Sequence, residues 1–298
     1  MPEHIDHPFF IVGASHSGIK AIKQALEIHP NLYSPNATRF YRWGEPFGTD
    51  TYKRNYLNHK VLKRNWLNDG FDASEIDHIF GRAETRQNVM NQYGKRFLRK
   101  QSAEGGRWFD ATPQNIYGLL LIRAQFPDSK IVHIHRHPVE VVSALMQHSS
   151  LNLIGAVNHW LETMQIVQVF KQNRRHNLLE LKVNDFEAEP KAAMRFLLTK
   201  LDEDIESYDF DKLEQFVKTY KEYLGQQASL GLSDEDKAYV EKTCKRFTTL
   251  YNYDGLESSD AAAESDVLRK ETLSPPHLQP RRAGQVAFVP KLSSKKET

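Results

Sequence analysis

The chain has 298 residues, with 40 Lys and Arg against 38 Asp and Glu, a formal charge of +2, 40% hydrophobic residues and one cysteine; its mean hydropathy is -0.61. These values exclude disorder throughout, a disulfide framework and a multi-cysteine zinc site, and the near-neutral balance argues against wholesale nucleic-acid binding. No apolar stretch approaches the roughly 18 residues of a membrane span, and the polar start at 1–7 lacks a basic segment leading into an apolar one, so a cytoplasmic protein without a membrane partner is expected.

Residues 8–12 form a short apolar run that ends at Gly13, and from Gly18 onward Ile19, Ile22, Ala25 and Leu26 recur at helical spacing. This predicts strand, loop, helix. Residues 41–107 are rich in Arg, Asn, Tyr and Trp and show no strand alternation, which predicts a helical insertion over one end of a sheet. A helix over 114–126 then leads through a Pro-Asp turn into the strand 130–135, followed by Pro138 and a helix over 139–146. The same alternation continues with a helix over 160–170, a strand over 178–183 and a helix over 190–201, and a last helix covers 234–251. Strands alternating with helices predict an α/β fold, one domain over residues 1–256 with a central parallel sheet flanked by helices. Beyond it, residues 257–298 shift to Ser, Ala, Asp, Pro and Lys, the composition of a disordered tail.

The loop Gly13-Ala14-Ser15-His16-Ser17-Gly18 passes from the first strand directly into a helix. Such a junction aims unpaired amides and the positive end of the helix dipole at one point, where an anion is stabilised. A ligand-free tight turn would use the same residues. The loop is not a Walker A motif: Gly13 and Gly18 have the spacing, but Ile19 stands where the lysine belongs and Ala21 offers no hydroxyl for magnesium. A P-loop kinase is therefore the least favoured of the nucleotide-binding readings.

Four segments, in order, carry a resemblance to a known family. Pro8-Phe9-Phe10-Ile11-Val12-Gly13-Ala14-Ser15-His16-Ser17-Gly18 resembles the pattern F-I-V-G-x-P-R/K-S-G-T-T. Arg107-Trp108-Phe109-Asp110-Ala111-Thr112-Pro113-Gln114 resembles a K-S/T-P segment. Residues 126–145 are similar to F-P-D-A-K-I-I-H-x-x-R-D-P-x-x-V-x-x-S-L, and residues 181–190 to V-x-Y-E-D-L-x-x-D-P. Together they resemble the sulfotransferase family, over roughly residues 8–255. The resemblance implies a P-loop-like sulfotransferase fold, with 3′-phosphoadenosine 5′-phosphosulfate (PAPS) as sulfuryl donor, no metal, and a small-molecule hydroxyl or amine as acceptor. An insertion at 41–107 would then lie on the acceptor side. The oligomeric state, monomer or homodimer, is left open.

The same resemblance implies site residues. Gly13, Ala14, Ser15, His16, Ser17, Gly18, Ile19 and Lys20 would hold the 5′-phosphosulfate, while Arg136, an arginine fork at a strand end, and Ser143 would take the 3′-phosphate. Ser143 lies seven residues after Arg136 where the pattern places its serine eight after, and Ala144 occupies the usual position. His16 replaces the loop's basic residue, and Lys20 supplies a nearby cation where the pattern has a hydroxyl. Ala37 stands where relatives carry a glutamate base, and Ala111 where they carry a lysine. The base must then come from elsewhere: His16, His135, Glu45, Asp110 and His148 are the candidates by position, so His16, Lys20, Asp110 and His135 are the expected catalytic groups. A relative impaired in catalysis but retaining nucleotide recognition is the second reading.

Other features are read as structural. His133, His135 and His137 alternate along a strand, but no Cys or carboxylate nearby in sequence completes a metal set. The basic and aromatic run 39–66 reads as a solvated helical face or as an acceptor pocket for an acidic molecule. Arg281-Arg282-Ala283-Gly284 is similar to the family's R-K-G element but sits in the tail. Cys244 reads as a packed small hydrophobe.

Overall fold

The computed structural model describes residues 7–42, 47–173, 178–227 and 231–253. By internal contacts the chain divides into a unit of residues 1–248 and a second of 249–298. The expected tail at 257–298, with Arg281-Arg282-Ala283-Gly284 inside it, lies outside the described residues, as does Glu45.

Strand β1 (Phe9–Gly13) leads into helix α1 (Ile19–Leu26) and the two-residue strand β2 (Leu32–Tyr33). Four helices follow: α2 (Asp50–Asn58), α3 (Lys60–Asn68), α4 (Ala73–Arg82) and α5 (Arg86–Lys100). They occupy the stretch that lacked strand alternation. Strand β3 (Arg107–Asp110) runs into a 3-10 helix (Pro113–Gly118) and α6 (Leu119–Gln125). Strand β4 (Ile131–His135) precedes α7 (Pro138–His148) and α8 (Leu153–Asn173). Strand β5 (Leu178–Lys182), α9 (Val183–Ala188), α10 (Pro190–Leu201), α11 (Phe210–Gln227) and α12 (Asp234–Leu250) complete the order.

All strand pairings are parallel, in the order β2-β3-β1-β4-β5. The alternation signal exposes only β1, β4 and β5. Strands β2 and β3 escape it because they are two and four residues long, too short for a period of two to register. After β1 the chain fills one side of the sheet with β2 and β3, then crosses to the other side for β4. The carboxyl end of β1 is therefore the topological switch point, where open α/β sheets place their ligands.

Each strand presents alternate side chains to opposite faces. Phe9, Ile11, Val132 and Ile134 pack with Ile19, Ile22 and Leu26 of α1 and with Met194, Leu197 and Leu198 of α10. On the other face Phe10, Val12 and Ile131 join Ile122 and Phe126, Val167 and Phe170 of α8, Phe40, and the aromatic residues of the insertion, Tyr52, Tyr56 and Tyr93. All five residues of β1 are buried, as expected for a strand covered on both faces. This cladding holds the β1–α1 junction between β4 and β3.

Candidate functional site

Two glycines make the loop between β1 and α1 possible. At Gly13 a Cβ would lie 2.2 Å from the Ile134 carbonyl oxygen of neighbouring β4, so only glycine lets the strands approach there. Gly18 is the N-cap of α1 at φ 93°, a backbone region that favours glycine, and a Cβ on it would meet Val183 Cγ2 at 2.7 Å. Between them His16 also adopts a positive φ of 67°. Ser17 is buried and its hydroxyl is committed to the loop itself, bonded to the carbonyls of Ala14 at 2.7 Å and Ile134 at 3.1 Å. No side chain caps α1 and no acidic residue occupies its first turn. The positive end of the helix is thus open toward an external anion. Ile19 turns inward to the core, whereas Lys20 is exposed beside the loop.

Around this loop the fold gathers residues from three other elements. His148, at the end of α7, stacks on His16 with ring centroids 5.5 Å apart. Burial, then the nearby His148 and His159, lower the His16 pKa, so this imidazole is neutral near pH 7. From α8, His159 Nε2 accepts the Ser15 backbone N–H at 3.3 Å. From the 3-10 helix, Gln114 Nε2 donates to Ser15 Oγ at 3.3 Å, and Tyr117 Oη lies 3.4 Å from His159 Nδ1 while donating to Glu162 Oε2 at 3.3 Å. Burial, then the Glu162 charge, raise the Tyr117 phenol to about 12.

Arg136 lies just past β4, and its side chain is held by two carboxylates. Its Nε bonds Glu140 one turn along α7, and its Nη2 reaches Glu187 of α9 at 3.0 Å. Burial raises the Glu187 pKa even though the adjacent Arg136 opposes it. A phosphate approaching this guanidinium therefore competes with two resident acceptors. Ser143 sits two turns along α7, where its Oγ accepts from Gln147 Nε2 at 3.1 Å.

Two of the expected catalytic groups are interior. Asp110, at the end of β3, is 1% exposed and accepts from Thr38 Oγ1 at 2.5 Å, Thr112 N at 2.9 Å and Asn115 Nδ2 at 2.8 Å. It ties the turn after β2 to the start of the 3-10 helix, so its place is in the framework under the site. His135 is 6% exposed and stacks on fully buried His133, whose partner across the sheet is Glu180 of β5. Burial, then His133, push the His135 pKa down to about 3. His137 does not continue the alternation of His133 and His135: β4 ends at His135, and His137 caps α7 by accepting Val139 N–H at 3.3 Å. Among the described residues no group of three His, Cys, Asp or Glu side chains converges as a metal site. Nor is any helix among them long and apolar enough to cross a membrane. Cys244 is fully buried, and burial raises its thiol to about 12.

The structure thus stacks His148 on His16 of the loop and buries Asp110 and His135 in the interior. His159, Tyr117, Glu162 and Glu140 were not legible as site residues. Glu140 had a signal, since it lies one helical turn after Arg136. His159 had a weaker one: a histidine three residues before Glu162, beside the apolar stripe of Trp160, Met164 and Val167.

A glycine-bounded loop at the switch point of a parallel sheet defines this chain as an α/β protein with a P-loop-like fold. The chain belongs to the sulfotransferase family, whose model matches residues 8–229. Among solved structures it is similar to the sulfotransferase domain of the Synechococcus PCC 7002 olefin synthase. The identity is 19%, covering 70% of this chain and 78% of that one, with a TM-score of 0.51. It is also similar to the sulfotransferase domain from the curacin biosynthetic pathway, at 14% identity over 83% of this chain and 99% of that one, with a TM-score of 0.52. At these identities the likeness is one of fold. No curated protein matches the chain.

Proposed function

We propose that the protein transfers a sulfuryl group from PAPS to a hydroxyl or amine of a small-molecule acceptor. The observation that carries this reading is the uncapped, acid-free start of α1 behind the Gly13–Gly18 loop, in a chain of the sulfotransferase family. In-line sulfuryl transfer, like phosphoryl transfer, asks the protein for positioning and for stabilisation of charge on the oxygens around the transferred group. The amides at the start of α1 would supply fixed donors, beside loop amides other than those of Ser15 and Ser17, which bond His159 and the Ala14 carbonyl. Lys20 would supply positive charge from its exposed position beside the loop, and His16, at the position of the family's basic loop residue, would face the bridging oxygen of the donor. Arg136 and Ser143 are the proposed 3′-phosphate contacts, and Asp110 supports the site from beneath.

A second reading has its own observation. Arg136 is already held by Glu140 and Glu187, while Ala37 and Ala111 provide neither a carboxylate nor an ammonium at the family's positions. On that reading the chain keeps nucleotide recognition and has lost efficient transfer. Incubation with sulfur-labelled PAPS and a panel of phenols, alkanols and amines separates the two. A labelled sulfate ester or sulfamate supports transfer. Binding of adenosine 3′,5′-bisphosphate without any labelled product supports the impaired relative, and magnesium-dependent consumption of ATP in its place would refute both.

A further inference from the structure

The hydrogen bonds around His159 form a directed chain. The Ser15 backbone N–H can only donate, so His159 Nε2, which accepts it at 3.3 Å, carries a lone pair. A neutral imidazole with that lone pair bears its proton on Nδ1, which faces Tyr117 Oη at 3.4 Å. The Tyr117 hydroxyl donates onward to Glu162 Oε2 at 3.3 Å. Each partner fixes the orientation of the next, from a carboxylate through a phenol to an imidazole whose basic nitrogen touches the anion loop. Ser15 stands where the family's loop pattern has proline, a residue without an N–H, so this chain's own sequence provides the donor that aims the ring.

We propose that His159 is the general base of the transfer, with Tyr117 and Glu162 as the positioning pair that sets its tautomer. The inference rests on the sulfotransferase reading above and supplies the base that Ala37 does not. The acceptor hydroxyl gives its proton to Nε2 as its oxygen bonds to sulfur. The bond from sulfur to the bridging oxygen breaks, and its electron pair leaves with the 5′-phosphate of adenosine 3′,5′-bisphosphate. The imidazolium then returns the proton to solvent. The contacts of 3.3 and 3.4 Å are long, as catalytic hydrogen bonds commonly are before substrate tightens them, so the Ser15 contact yields readily to an acceptor. The groups facing His159 are Ser15 and His16 from the loop, Tyr117 from the 3-10 helix, Glu162 on its own helix and Arg42 from the segment after β2. Burial, with Arg42, holds the imidazole neutral, while Glu162 acts in the opposite direction.

The test measures PAPS consumption by the full chain with water and with phenol as acceptors, beside calorimetric binding of adenosine 3′,5′-bisphosphate. His159→Gln is expected to lower kcat by about 10²-fold or more while nucleotide affinity stays within about threefold. His159→Ala should regain activity with added imidazole. Glu162→Gln should move the acid limb of the kcat profile to lower pH, because it removes the charge that favours the imidazolium, whereas a merely structural Glu162 would leave the limb in place. A His159→Gln variant within about threefold of the wild-type kcat overturns the proposal, as does an acid limb unmoved by Glu162→Gln. So does a wild type that binds the nucleotide without consuming PAPS. Absence of nucleotide binding to the wild type would instead refute the donor site on which the inference rests, and the binding arm alone reveals it.

Discussion

Replacing Gly18 by alanine perturbs the site at its narrowest point. The residue sits at φ 93°, where an L side chain strains the backbone by about 1–2 kcal/mol. The new Cβ would fall 2.7 Å from Val183 Cγ2 and 3.0 Å from Val183 Cγ1. Val183 is fully buried against the α1 and α10 side of the sheet, so it cannot swing away, and overpacking of this kind costs about 1–3 kcal/mol. The lost unfolded-state entropy of glycine offsets up to about 1 kcal/mol. The net destabilisation is about 2–4 kcal/mol, or a fall in Tm of about 5–15 °C for a domain of this size. Gly81 in α4 is the control, because a Cβ there meets nothing within 4 Å; Gly81→Ala should leave Tm unchanged or raise it slightly. Thermal denaturation followed by circular dichroism reads both, and Gly18→Ala in a Val183→Ala background should show a coupling of about 1 kcal/mol or more. A Gly18→Ala protein melting within about 2 °C of wild type would refute the packing argument, as would equal damage from Gly81→Ala.

Two further perturbations probe the framework beneath the site. Asp110→Ala strands the Thr38, Thr112 and Asn115 donors in the interior and should cost about 3–5 kcal/mol in urea denaturation; a loss below about 1 kcal/mol would show that Asp110 is not the tie between these segments. His135 is neutral in the fold because its pKa falls from 6.5 to about 3. The stability it contributes is complete above pH 6.5 and is lost as pH falls toward 3, at about 1.4 kcal/mol per pH unit for one proton. His135→Gln should flatten the fall of stability between pH 6 and 4 by about that slope, and an unchanged slope in urea titrations would contradict the buried neutral ring.

What sequence made legible followed the strength of local signals. β1, β4 and β5 carry apolar runs, and α1, α7 and α10 carry apolar stripes behind loop or proline signals. β2 and β3 are too short to show a period, and their strand character comes from pairing with β1 and with each other. The loop from Gly13 to Gly18 was legible because its chemistry is contiguous. The groups facing it were not: His159 lies 144 residues from Ser15, and only the packing of α8 beside the 3-10 helix brings them together. Asp110 was legible as a polar residue in a family segment, but its burial depends on Thr38 and Asn115 arriving from two different turns. Arg136 could be placed at a strand end, while its capture by Glu187 required α9 to fold back beside α7.

The Gly13–Gly18 loop and Arg136 are proposed to form one site for a 3′,5′-bisphosphorylated adenosine. Calorimetric titration with adenosine 3′,5′-bisphosphate, beside ATP and AMP and with Arg136→Ala as the control, tests it most directly. Binding of the bisphosphate well ahead of the other two nucleotides is expected, as is its loss in the variant. Equal binding of all three nucleotides, binding of ATP alone, or bisphosphate binding unchanged by Arg136→Ala would contradict it.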